Sequence, residues 1–178
     1  FIHGNLSSNR WWYPLLDRVS QKSDSALAGD IILAEIRGCG HSSDVDEAEK
    51  ISIVSLADEF AQFISSLNIK RLNIVGHSTG GSIAFVVLAK VAEIVNRVVL
   101  VDAVGARGRK FDQSILTAFR HMKTDMGLLA DVMKITIRSP SIDPQFFRDV
   151  VVADAARAAK VMGLKIAEAF GEFNFLEK

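Results

Sequence analysis

Apolar residues along this chain fall into two periodicities that alternate. Ile53, Leu56, Ala57, Phe60, Phe63, Ile64 and Leu67 recur at spacings of three and four, which predicts one amphipathic helix. Trp11, Trp12, Leu15, Leu16 and Val19 repeat that spacing earlier in the chain, with Asn9 in position to cap. Residues 82–90 are apolar nearly all round, as in a helix enclosed within a layered fold. Between these segments lie short apolar runs without polar alternation at residues 31–36, 72–75 and 98–101. They are rich in β-branched side chains and bounded by turn formers or charge, the pattern of parallel strands covered on both faces. Phe1 and Ile2, just before His3-Gly4, have the character of a further strand stub. Strand and helix in alternation predict an α/β sheet.

The character changes after Asp102. Residues 105–110 are polar and flexible, and the apolar positions that follow predict helices near 112–123, 128–137 and 155–170. Another opens at Asp143-Pro144, a capping residue followed by a first-turn proline. The chain therefore divides into a sheet-forming part, residues 1–105, and a helical insertion lying over it, residues 106–178, whose last seven residues approach a further strand.

A length of 178 residues suits one domain carrying an insertion. Acidic and basic residues balance at 21 each, so no basic surface points to nucleic acid or to an anionic membrane. No apolar stretch approaches the length of a membrane span. Cys39 is the single cysteine, which excludes an intramolecular disulfide and a thiolate metal cluster and agrees with a cytoplasmic location. The chain opens on Phe1 already inside a strand, and its beginning is expected to be missing.

Chemistry concentrates at Gly76-His77-Ser78-Thr79-Gly80, a G-x-S-x-G sequence between the strand run at 72–75 and the helix from residue 82. A chance glycine-serine turn could carry the same letters; the strand before and the helix after distinguish a nucleophile elbow. Such a turn holds its serine in a strained conformation above the sheet, and the glycines two residues away relieve the crowding. The positive end of the following helix lies beneath the serine and favours an oxyanion there.

Three motifs in order resemble the α/β-hydrolase superfamily over essentially the whole chain. They are His3-Gly4-Asn5, Glu35-Ile36-Arg37-Gly38-Cys39-Gly40-His41-Ser42, and the elbow at 76–80, similar to the turns after the third, fourth and fifth strands of that family. Glu35 stands where the family usually has aspartate, a change expected to affect local hydrogen bonding. The resemblance implies a three-layer α/β core with a mostly parallel sheet, strands three to six in the order 4-3-5-6, and a helical lid inserted after strand six. It implies Ser78 as nucleophile and the backbone N–H groups of Asn5 and Thr79 as the oxyanion hole. His3 and His77 belong to the backbone motifs, His41 to a loop and His121 to the lid. The base and acid of a triad would follow the serine; the resemblance places the histidine, and in most relatives the acid after a seventh strand, beyond Lys178. Asp102, at the end of the sixth strand, is either the acid or a strand-end aspartate bonded to loop amides.

The activity implied is hydrolysis of a carboxylic ester, lactone or related acyl bond in a small molecule, without metal or cofactor. C–C bond hydrolysis and a haloperoxidase-like chemistry of the same fold remain open, as does a non-catalytic protein binding a small molecule or a partner. A homo-oligomer is also open.

Overall fold

The computed structural model describes residues 1–21, 29–137 and 141–176. Two strands, β1 (Leu72–His77) and β2 (Val95–Val101), pair in parallel, with Ile74 opposite Val98 and His77 opposite Val101. The helix α3 (Thr79–Lys90) crosses between them, burying Ile83, Ala84, Val86 and Val87. Ile2 bridges Gly76 on one side and Ala34 on the other, both in parallel sense. The order across the sheet is thus the segment at Ala34, Ile2, β1 and β2, the 4-3-5-6 order expected.

The run at 31–36 is not a strand of six residues, as expected, but a single bridge at Ala34. Its partner here is only Phe1-Ile2, which offers Phe1 O to Ala34 N at 3.1 Å and too few further groups for a ladder. Nor are the strands covered on both faces. Val99, Leu100 and Val101 are 52%, 38% and 41% exposed, and β2 pairs only with β1 among the described residues.

Helix α1 (Tyr13–Ser20) follows a 3-10 turn at Asn9–Trp12. The cap is Ser8, whose hydroxyl accepts from Arg10 N at 3.1 Å, and not Asn9. Trp12 is buried while α1 itself buries nothing. Helix α2 (Ile53–Ser66) opens on a reciprocal capping box between Ser52 and Ser55 and buries Ile53, Leu56, Ala57, Phe60, Ala61 and Ile64. Phe63 and Leu67, expected in that stripe, instead border an open apolar cleft beside Ile32.

Beyond Asp102 the described residues form helices and no further strand: α4 (Gln113–His121), α5 (Met126–Thr136), α6 (Pro144–Phe146), α7 (Ala153–Ala159) and α8 (Met162–Glu172). Asp143 caps α6 through Gln145 N and Phe146 N, as its pairing with Pro144 predicts. Phe147–Val152, between α6 and α7, is wound as a π-helix. The helix expected over 155–170 is broken near Lys160-Val161, where Val161 leaves helical geometry at φ −136°. Met162, the first residue after the break, lies against Gly38. Met122, Leu129, Met133, Val151, Ile166 and Phe170 join the same core as Ile36 and Ile83. No described helix is long and apolar enough to cross a membrane. Residues 177–178, the end of the expected approach to a further strand, lie outside the described residues.

Candidate functional site

Ser78 stands between the last residue of β1 and the first of α3, at φ 52° and ψ −115°. Its amide donates to Val101 O at 3.0 Å, which ties the turn to the end of β2. The glycines are steric necessities. A Cβ on Gly76 would stand 2.5 Å from Gly80 O, and one on Gly80 would run into the backbone carbonyls of Ile2 and His3. The positive φ and the two close approaches are what the G-x-S-x-G spacing predicts.

His3-Gly4-Asn5 lies directly against this turn: a Cβ on Gly4 would fall 3.1 Å from Ser78 Cβ. His3 is buried, and its tautomer follows from its partners. Nδ1 donates to Gly4 O at 2.8 Å, and Nε2 accepts from Ile36 N at 3.0 Å. Desolvation holds its pKa down at about 4, so the ring is neutral. The Ser7 hydroxyl also donates to Gly4 O, at 2.9 Å. Because the Gly4–Asn5 peptide is trans and planar, two donors on its carbonyl direct the Asn5 N–H to the opposite side. No backbone carbonyl among the described residues accepts from the Asn5 or Thr79 amide. The Asn5 side chain is occupied elsewhere, donating to Gly163 O and accepting from Leu6 N, both at 2.8 Å.

Ser78, Asn5, His3, His77 and Asp102 line one cavity of about 450 Å³. Its other walls are apolar apart from Thr136. Trp11 and Trp12 come from the 3-10 turn, Met133 and Ile137 from α5 and its end, and Ile142, Phe146 and Val151 from the segment leading into α7. Asp102 follows β2 at φ 44° and is exposed; no loop amide among the described residues donates to its carboxylate. Its charge favours protonation of His77, but burial dominates and lowers the His77 pKa. His77 meets Trp12 edge-on at 6.3 Å between ring centroids.

The remaining candidates fall elsewhere. His41 is exposed, and its amide donates to Glu35 Oε2 at 2.7 Å, so Glu35 organises its own loop. His121 is exposed at the end of α4 and does not line the cavity. Cys39 is buried and its thiol is pushed up to about 12, mainly by desolvation, so it offers no thiolate nucleophile. Among the described residues no cluster of three or more metal-ligating side chains occurs. Sequence reasoning missed the two tryptophans as cavity walls and missed Asp154. A carboxylate inside the run Ala153-Asp154-Ala155-Ala156 was the signal that could have drawn attention to it.

Comparison with known proteins agrees with this fold. A family model described as alpha/beta hydrolase fold matches residues 1–132. An uncharacterised protein of Mycobacterium tuberculosis is 28% identical over 104 residues, 58% of this chain and 28% of that protein. Among solved structures, a lipase-esterase related protein from Clostridium acetobutylicum superposes with TM-score 0.70 at 20% identity, over 99% of this chain and 67% of that one. The N-acyl homoserine lactonase AidH, complexed with N-butanoyl homoserine, does so with TM-score 0.64 at 21% identity, over 98% of this chain and 62% of that one. The match thus covers little more than a quarter of the mycobacterial relative's length.

Proposed function

Since the chain belongs to the α/β-hydrolase fold family, we propose that it carries the nucleophile, oxyanion hole and cavity wall of a serine hydrolase acting on a small ester, lactone or related acyl compound. The observation that carries this reading is Ser78 itself, held at φ 52° at the start of α3 and lining a cavity that combines polar groups with apolar walls. A strained serine at that junction has a cost, and the glycines around it serve only to permit it.

In the proposed reaction Ser78 Oγ attacks the acyl carbon while a histidine base takes its proton. The carbonyl oxygen becomes an oxyanion received by the N–H groups of Asn5 and Thr79, with the N-terminal end of α3 adding favourable potential. Collapse breaks the bond to the alcohol or ring oxygen, which leaves with the proton from the histidine. Water, deprotonated by the same base, then attacks the acyl-enzyme and releases the acid and Ser78. His3 and His77 line the cavity but belong to the turn motifs, and His121 is exposed and does not line it, so none of the three is assigned as the base. Asp102 is the candidate acid to orient it. The helices from α4 to α8 act as a lid, whose Met133, Ile137, Phe146 and Val151 side chains would receive the apolar part of the substrate. The lactonase and lipase-esterase descriptions of the structural neighbours support an acyl substrate.

The test uses the full-length protein, a fluorophosphonate probe, and a short-chain nitrophenyl ester and a lactone as substrates. Labelling of Ser78, with turnover lost in Ser78→Ala, is expected. No labelling and no Ser78-dependent turnover would leave the non-catalytic, small-molecule-binding role.

A further inference from the structure

The turn presenting the Asn5 amide is gripped from the far end of the chain. Leu6 lies at φ 55°, a left-handed conformation that leucine seldom adopts, so the turn persists only because its surroundings hold it. Two anchors reach it. The Asn5 carboxamide donates to Gly163 O at 2.8 Å, at the start of α8. The Ser8 hydroxyl donates to Asp154 Oδ2 at 2.5 Å, in α7, while the Arg10 guanidinium pairs with Asp154 Oδ1. Asp154 is 2% exposed in a run otherwise made of alanines, a place where a carboxylate is costly unless its partners need it. Three residues earlier, in the π-wound segment that runs into α7, the fully buried Val151 lines the Ser78 cavity. The π-wound segment and the α7 that continues it therefore wall the cavity and hold the oxyanion turn between them.

We propose that Asp154 is a positioning residue for the oxyanion turn, an assignment that rests on the serine-hydrolase reading. Its carboxylate takes the Ser8 hydroxyl and the Arg10 guanidinium, and through them keeps residues 4–8 where the Asn5 N–H meets the charge that develops on the substrate oxygen. Substrate binding, which uses the apolar walls, depends little on this grip; transition-state stabilisation depends on it directly.

The experiment compares Asp154→Ala, Asp154→Asn and Ser8→Ala with wild type in the full-length protein, each checked for folding by its thermal midpoint. In Asp154→Ala, kcat is expected to fall about tenfold to a hundredfold, with KM changing by less than about twofold. Asp154→Asn keeps an acceptor for Ser8 and is expected to fall less; Ser8→Ala leaves the ion pair and should lose kcat in the same direction. Affinity for a phenylboronic acid, whose tetrahedral serine adduct places an oxygen at the oxyanion position, should drop in step with kcat. Affinity for the product acid should not. Folded variants with unchanged kcat and boronate affinity overturn the assignment, as does a loss confined to KM. If Asp154→Ala does not fold, the other two variants decide by the same criteria. Fluorophosphonate labelling separates the two levels: a wild type labelled at Ser78 with indifferent variants sinks the positioning role alone, whereas an unlabelled, inactive wild type sinks the serine-hydrolase reading.

Discussion

Two residues beside Ser78 show how much of this site is decided by single atoms. His3 is neutral because both ring nitrogens are committed: Nδ1 must carry a proton for Gly4 O, and Nε2 must lack one to accept from Ile36 N. Its folded pKa of about 4 lies below the ordinary 6.5. The unfolded chain therefore takes up a proton as pH falls through about 6.5, while the folded chain resists until about 4. Stability from this residue is full above that window and is lost within it, by about 3 kcal/mol when fully developed. Urea midpoints measured from pH 7.5 to 4 should fall accordingly, and much of that slope should vanish in His3→Gln. Gly4 gives a second prediction. A Cβ there would lie 3.0 Å from His77 Nδ1 and 3.1 Å from Ser78 Cβ, so Gly4→Ala must push the turn away from the serine. For the proposed ester hydrolysis, a loss of about a hundredfold in kcat with a small shift in thermal midpoint is expected, since an ångström of displacement at such a site has that scale of effect.

At the scale of elements, helix ends matter more than helix lengths. Helix α2 begins where Ser52 and Ser55 exchange side-chain and backbone hydrogen bonds at 2.9 and 3.0 Å. Losing the Ser52 hydroxyl leaves the Ser55 amide without its acceptor, and Ser52→Ala should lower stability by about 1 kcal/mol in denaturant titration, with no change in KM. Helix α3 has the opposite design. Its N-cap, Ser78, makes no side-chain capping bond. Ser78 is instead one of the residues that line the cavity. The π-wound segment Phe147–Val152 gives the insertion an extra residue per turn before α7, which sets Val151 on the cavity and Asp154 on Ser8.

For the molecule as a whole, the outer strand governs behaviour. Val99, Leu100 and Val101 present apolar side chains to solvent on β2, whose outer edge is unpaired among the described residues. Produced alone, residues 1–178 should self-associate, which sedimentation velocity over a range of concentrations can measure. The same 178 residues should not hydrolyse a nitrophenyl ester at an enzymatic rate. Without its histidine a serine triad loses on the order of 10⁶ in kcat. Rapid, Ser78-dependent turnover by this piece would mean that His121 leaves the surface of α4 and serves as the base.

What the sequence determined by itself was whatever depends on a few consecutive residues. The elbow at 76–80 was legible because strand, strained serine and flanking glycines constrain one another within five positions, and the Asp143-Pro144 helix start was legible for the same reason. The alternation of periods was enough for the α/β class, because burial on a sheet and on a helix impose different spacings. Packing decided the rest. Residues 31–36 have a strand's composition, yet a ladder needs a partner, and only Ala34 finds one in Ile2. Val99–Val101 read as buried because apolar side chains usually are, whereas burial is a property of what lies opposite. Ser8 and Asp154 stand 146 residues apart, and no local pattern couples a serine in a turn to an aspartate among alanines. Their bond exists only because the helices after β2 fold back over the sheet, and that close approach is a long-range consequence of filling one core.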